Sequence, residues 1–357
     1  MELFVSLKMI AQSWLKRLVK RKMTFDELFD EFLSERKIGE GRRRHYEVLK
    51  RMLHRYSYYL EHCRLQRRTY VFDVTKMTVT FLEGFSEYVL NEAEYVKIYP
   101  AILERYPEER QIRPRCENYL CGVMKELRAF CNWLCKKGLM CSSPFEGFQM
   151  PDELYGTPVY LTLREVESIY HADFSDDPRL EIQRDIFVFQ CNVGCRVGDL
   201  LRLKKNNVVN GCLEYIPFKT IRKSSKTVVV PLNDVASAIV KKYQTVPGDR
   251  LFPFTSSQIY NICIKKVFDK SGINRMVTRY DPLNHMEKTV PINTVASSHM
   301  ARRTFIGNIY RQVKDPSLVS SLTGHVDGSE AFCRYREIDL QMKKELVRLL
   351  HFDTGVH

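Results

Sequence analysis

The sequence predicts a mainly α protein of two domains, the second carrying a small antiparallel β-sheet. Three observations lead there. Apolar residues recur at helical spacing through most of residues 24–145. A short β-rich patch interrupts an otherwise helical second half. Between the halves lies a segment holding Gly147, Pro151, Gly156 and Pro158, the composition of a linker. At 357 residues the chain is long enough for two cores that need no staples.

The elements follow in order. Met1–Ile10 carries apolar residues but no small-residue cleavage site, and Lys16–Lys22 is strongly basic, so residues 1–23 read as a basic helix and not as a signal peptide. Thr24-Phe-Asp-Glu27 is a capping box, in which hydroxyl and carboxylate each satisfy a free amide at a helix start; Phe25, Leu28, Phe29 and Phe32 then share one face. Gly39 and Gly41 break the chain before a long helix from Arg42 to about His62. There Tyr46, Leu49, Met52 and Leu53 form the apolar face, and Arg42, Arg43, Arg44, Lys50, Arg51 and Arg55 lie mostly elsewhere. A third helix is expected over Val79–Asn91, and residues 93–112 read as an insertion or a kinked helix. The helix Arg115–Lys137 is the clearest of this half, with Leu120, Val123, Met124, Leu127, Phe130, Cys131 and Leu134 on one side and Gly138 as its stop. The expected division is therefore a basic helix at 1–23, a helical domain at 24–145, a linker at 146–160 and a second domain at 161–357. Thr162-Leu-Arg-Glu165 is the capping box that opens this last part. Cys212–Pro217 and Thr227–Val230 read as strands, with a polar turn from Phe218 to Lys226 between them.

Composition narrows the class. Hydrophobic residues at 44% and charged residues at 28% are globular values, and no run approaches the roughly 18 to 20 apolar residues that span a bilayer. Eleven cysteines include no C-x-x-C. The pairs Cys131/Cys135 and Cys191/Cys195 stand one helical turn apart and read as buried small hydrophobes, so neither a disulfide framework nor a zinc site is expected and a reducing cytoplasm fits. The net charge of +13 divides into +7 over residues 1–150 and +6 over the rest. Both halves are basic, which suits a polyanionic partner.

Four points in the second half combine. Arg196 stands in Gly194-Cys-Arg-Val-Gly-Asp-Leu-Leu-Arg-Leu203; Lys219 begins the polar turn; His299-Met-Ala-Arg302 puts an imidazole and a guanidinium on one helix face; and Leu322-Thr-Gly-His325 precedes Tyr335 by ten residues. Singly these are ordinary residues, Tyr335 being one of 19 tyrosines. As an ordered set they resemble the tyrosine recombinase (phage integrase) family, with its arginine box, hairpin lysine, H-x-x-R box, L-G-H box and terminal tyrosine. Ser297–Phe305 and Gly324–Tyr335 look like the integrases of Bacteroides-type phages and mobile elements. By motif the resemblance covers about residues 160–345; residues 24–145 resemble the family's helical core-binding domain by pattern alone. Two positions depart from the usual pattern: Asp199 replaces a glutamate, and Thr323 stands between leucine and glycine.

The resemblance implies a two-domain, site-specific DNA recombinase that integrates, excises or inverts DNA through a 3′-phosphotyrosyl intermediate, without metal, ATP or other cofactor. Tyr335 would be the nucleophile. Arg196 and Arg302 would stabilise charge on the phosphate through paired hydrogen bonds. Lys219 would be the general acid, with Arg222, Lys223 and Lys226 as neighbours that could take that role. His299 would hydrogen-bond the phosphate or assist the tyrosine's proton transfer, and His325 would donate to a non-bridging oxygen. The expected partners are double-stranded DNA, a homotetramer on two DNA sites and a host DNA-bending factor, with no membrane; the expected place is the cytoplasm, at the nucleoid. Arg42, Arg43, Arg44, Lys226 and Arg303 are candidate DNA contacts, as is the run Lys16–Lys22. His285, Glu287 and Lys288 read as an insertion hairpin without catalytic meaning, and Gln341–Leu350 as an amphipathic tail. An architectural DNA-binding protein and a type IB topoisomerase-like enzyme are the alternative functions.

Overall fold

The computed structural model describes residues 23–64, 72–219, 221, 226–313 and 315–324. The N-terminal basic helix, His325, Tyr335 and the C-terminal tail lie outside the described residues. The chain forms two compact units, the first Met1–Leu154 with Pro282–His285 and the second Tyr155–Asp281 with Met286–His357.

In the first unit four helices surround an aromatic core. Helix α1 (Phe25–Ser34) starts with the expected capping box: Thr24 Oγ1 accepts the Glu27 amide at 3.3 Å, and the Glu27 carboxylate accepts the Thr24 amide at 2.8 Å. Helix α2 (Glu40–Tyr58) takes Gly39 as its N-cap, so Gly41 lies inside the first turn and does not break it. Helix α3 runs Val79–Ile98, seven residues past the expected end. Tyr95 in that extension stacks on Tyr59 with centroids 4.6 Å apart, and Pro100 ends it. Of the two readings of residues 93–112, the kinked helix fits better: the segment supplies the end of α3 and, after Pro100, a short helix, Ala101–Arg105. Helix α4 (Glu117–Lys136) closes on Gly138 at φ +68°, with the Leu139 amide on the Leu134 carbonyl and the Gly138 amide on Cys135. Phe32 packs edge to face on Tyr46 and Phe130, and Phe29 lies tilted on Phe130, where α1, α2 and α4 meet.

Arg55 is the exception among the basic residues of α2, which otherwise lie away from the core as expected. It is fully buried and donates to Glu92 at 2.6 Å and to Glu108 at 3.1 Å. Helical periodicity shows which residues share a face; it does not show a charge balanced by partners 37 and 53 residues away.

The second unit is built around helix α6 (Pro178–Val193), buried over most of its surface and packed against α5 (Leu163–His171), α7 (Asp234–Tyr243), α8 (Ser257–Lys270) and α9 (Ser298–Val313). Such burial explains the near-continuous apolar run Ile186–Phe189. A three-stranded antiparallel sheet, β1 (Val208–Val209), β2 (Cys212–Tyr215) and β3 (Val228–Pro231), pairs Leu213 with Val230 and Tyr215 with Val228. Strand β2 stops two residues before its expected end, at Ile216-Pro217. Strands β4 (Met276–Asp281) and β5 (Met286–Pro291) form the hairpin expected around His285. Helix α10 (Pro316–Thr323) ends the described chain. The capping box at Thr162 forms as expected. Cys191 and Cys195 are both buried as expected, although Gly194, at φ +66°, ends α6 between them, so they do not share a helix face. All described cysteines are free, and no helix among the described residues is long and apolar enough to cross a membrane.

Candidate active site

The site is assembled from the turn after α6, the turn after β2 and the first turns of α9. Gly194 makes the first turn possible. Its left-handed backbone suits glycine, and the Phe305 ring of α9 occupies the space a Cβ would need. That close approach brings α9 against the residues before Arg196. The turn is braced from below: Tyr260 Oη donates to Gln190 Oε1 at 3.0 Å, and Gln190 Nε2 donates to the Cys195 carbonyl at 3.0 Å, all buried. Arg196 follows, half-buried, as the N-cap of a one-turn helix, Val197–Leu200.

Arg302 is 1% exposed. Nη1 donates to the Gly194 carbonyl at 2.7 Å and Nη2 to the Thr323 carbonyl at 2.8 Å. The sequence reading gave this guanidinium to a phosphate alone; in the structure it also ties the Arg196 turn to the end of α10, one residue before Gly324. Gly324 is left-handed as well, at φ +63°, and lies against Pro217 and Val228. Gly324, the last described residue, thus lies beside the root of the Lys219 turn.

Asp199 reaches the same root. It is buried, and its Oδ1 accepts the Phe218 amide at 2.8 Å. Lys219, the next residue, is exposed, as is Lys226 across the turn. Tyr215, at the end of β2, buries its hydroxyl without a hydrogen bond, and that burial, with the Cys195 thiol and Asp199 nearby, pushes the phenol's pKa well up.

His299 shows that these elements converge. The residue keeps exposed surface, but the protein packed around it and then the charges of Arg303, Arg302, Arg196 and Lys219, in that order, lower its pKa from 6.5 to about 4. Four cations from three separate segments thus act on one imidazole. Arg303, a candidate DNA contact, is the strongest of them. Among the described residues no group of three His, Cys, Asp or Glu side chains is placed to hold a metal ion.

A titration follows from this. His299 stays neutral from pH 5 to 8 in the free protein and titrates near pH 4. Between about 4 and 6.5 the unfolded chain carries a proton on this residue that the folded chain lacks, so its contribution to stability rises with pH through that window. Bound duplex DNA brings phosphate to the cations and raises the folded pKa. Carbon-detected NMR of the histidine rings, with and without duplex, checks both statements; a free-protein titration near 6.5 contradicts them.

The candidate DNA contacts on α2 are exposed but engaged within their own unit. Arg42 stands 3.4 Å from Glu126, Arg43 donates to the Leu33 carbonyl at 3.1 Å, and Arg44 pairs with Glu40. Sequence reading missed the hold on Phe218. The carboxylate at 199 was visible as a supporting position, but nothing in the spacing showed which amide it would take.

Comparison with known proteins agrees with this geometry. Residues 159–342 match the Phage integrase family. The tyrosine recombinase XerD of Halalkalibacterium halodurans is 21% identical over 214 residues, 60% of this chain and 69% of that protein. The XerD of Listeria monocytogenes is 22% identical over 203 residues, 56% of this chain and 65% of that protein. Among solved structures, a lambda integrase tetramer bound to a Holliday junction superposes with a TM-score of 0.58 at 15% identity, covering 89% of this chain and 78% of that one. The Tn1549 transposon integrase in complex with a circular intermediate DNA gives 0.59 at 14% identity, covering 92% and 100%. At such identities the structural likeness speaks for the fold.

Proposed function

The chain belongs to the phage integrase family, and from that premise we propose that it is a site-specific DNA recombinase, cutting and rejoining duplex DNA through Tyr335. The observation that carries the reading is the convergence of Arg196, Lys219, Arg302 and Arg303 on His299. Fixed positive charge in a partly desolvated place is what a phosphodiester needs as negative charge builds on its non-bridging oxygens.

In the proposed reaction the Tyr335 oxygen forms a bond to phosphorus while the bond to the 5′-oxygen breaks. Arg196, half-buried at a helix start, presents its guanidinium to the phosphate. Arg302, its Nη1 and Nη2 donating to backbone carbonyls, supplies fixed positive charge from below. His299 takes the phenol's proton: the arriving phosphate offsets the cations that suppress its basicity, so the base becomes competent when substrate is present. Lys219 gives a proton to the leaving 5′-oxygen, and His325 donates to a non-bridging oxygen. The bond energy is kept in the phosphotyrosyl link, so strand joining is the reverse step with a new 5′-hydroxyl and needs no ATP. Charge stabilisation falls to guanidinium and imidazole groups of this chain, and the reading requires no metal.

Residues 24–145 then serve as the helical DNA-binding domain and residues 161–357 as the catalytic domain, on double-stranded DNA and as a tetramer across two sites. The basic surplus in both halves of the sequence supports binding through both. A host DNA-bending factor completes the proposed assembly. Recovery of the chain from cells under denaturing conditions, followed by nuclease digestion and mass spectrometry, tests the reading. The expected product is a nucleotide 3′-phosphate on Tyr335, and the attached DNA, when sequenced, converges on one site; the same adduct forms in vitro in EDTA. Adducts spread over unrelated sequences point to a topoisomerase, and DNA retention without any adduct points to an architectural binder.

A further inference from the structure

We propose that Arg202 and Phe218 form a latch that positions Lys219 for proton transfer to the leaving oxygen. The proposal rests on the reading of Lys219 as general acid.

Phe218 is held twice. Its amide donates to Asp199 Oδ1 at 2.8 Å, and its ring lies under the Arg202 guanidinium, 3.3 Å from the centroid. Asp199 and Arg202 belong to the same short segment, which begins at Arg196. Asp199 is 5% exposed and its Oδ2 has no hydrogen-bond partner, so the Phe218 amide matters to a carboxylate with few alternatives. Phe218 as a whole is 54% exposed, an unusual place for phenylalanine unless something covers or uses it. Backbone and side chain of the residue just before Lys219 are therefore both fixed to the segment that carries Arg196.

The chemistry gives this a purpose. The phosphorus that Arg196 serves and the oxygen that Lys219 must protonate are one bond apart, so acid and guanidinium need a common frame. Lysine alone offers none: its ammonium rides a four-carbon stem in an exposed turn and spreads over many rotamers. Anchoring the preceding residue narrows that spread. A planar guanidinium suits the ring face better than an ammonium, and this accounts for arginine at 202.

In the step concerned, the Tyr335 O–P bond forms, the P–O5′ bond breaks with its electron pair going to the 5′-oxygen, and a proton from Lys219 Nζ neutralises that oxygen. With sulfur in place of the bridging 5′-oxygen, the thiolate leaves without a proton. Single-turnover cleavage of the mapped site by the full chain, on oxygen and on 5′-bridging sulfur substrates, separates positioning of the acid from every other role. Lys219→Ala is expected to lose most of its rate on oxygen and to recover it on sulfur. Arg202→Ala and Phe218→Ala, both surface truncations, are expected to slow the oxygen substrate about three- to tenfold and leave the sulfur substrate at the native rate, while Phe218→Tyr keeps the ring and the rate. If sulfur does not rescue Lys219→Ala, the reading of Lys219 as the acid fails. If it does, but Arg202→Ala is unaffected or slowed equally on both substrates, the latch fails and the acid stands. Weakened DNA binding with an unchanged rate on bound oxygen substrate would make the stack a DNA contact and also sink the proposal.

Discussion

Tyr335→Phe removes the covalent protein–DNA adduct and strand exchange altogether while leaving DNA affinity within about twofold. The substitution deletes one oxygen, the atom that bonds to phosphorus, and no remaining group can store the phosphodiester as an ester of the chain. The guanidinium and lysine charges that bind the backbone are untouched, so the salt-dependent part of binding persists. A duplex nicked just beyond the mapped site, whose short product strand diffuses away after cleavage, accumulates the adduct with the native chain and none with the variant. A gel shift on the same duplex reports binding. Arg196→Ala gives a graded contrast, since one lost charge-stabilising group costs about 10²- to 10³-fold in rate and leaves a slow adduct visible at long times. An adduct of undiminished yield from Tyr335→Phe would move the nucleophile to another of the 19 tyrosines.

The site was legible because its chemistry is written in short stretches. His299 and Arg302 sit three apart on one helix, and Gly194 announces a turn before Arg196; these local relations survive folding unchanged. What the sequence did not show was how the stretches are joined. Arg302 reads as a phosphate ligand, yet two of its N–H groups bridge the Gly194 and Thr323 carbonyls, a tie between segments 108 and 21 residues away. Arg303, read as a candidate DNA contact, also acts on His299. A helical wheel sets it about 100° from Arg302, but His299 stands four residues before it, one turn below, which makes the two neighbours along the axis. In the fold, caps and stops such as Thr24, Thr162 and Gly138 came through because each is decided within five residues. The end of α3 did not, because Tyr95 is kept helical by stacking on Tyr59, beyond the horizon of any local window.

Arg55 carries the second large effect. Its guanidinium and the Glu92 carboxylate are both fully buried, 2.6 Å apart, and Arg115 holds the other Glu92 oxygen. Arg51 and Arg55 share Glu108 and keep its carboxyl below the usual range despite the burial that would raise it. Helices α2 and α3 and the irregular segment between Arg105 and Cys116 are pinned at this point. The pair as a whole need not add net stability, since desolvating two ions offsets most of their attraction, but breaking it strands a charge. Arg55→Leu therefore costs about 3 kcal/mol, at the lower end for a buried pair because Arg115 still holds Glu92, and lowers the midpoint of this unit on the order of 10 °C. Arg55→Leu with Glu92→Leu removes both charges and recovers a good part of the loss, a non-additivity that a purely steric defect would not produce. Arg51→Ala, with its partly exposed side chain, costs under about 1 kcal/mol. Both tryptophans, Trp14 and Trp133, precede Leu154, so tryptophan emission during urea unfolding of the full chain follows the first unit. If Arg55→Leu unfolds within about 0.5 kcal/mol of the native chain, the network is not what holds these helices in register, and the aromatic core around Phe130 holds them alone.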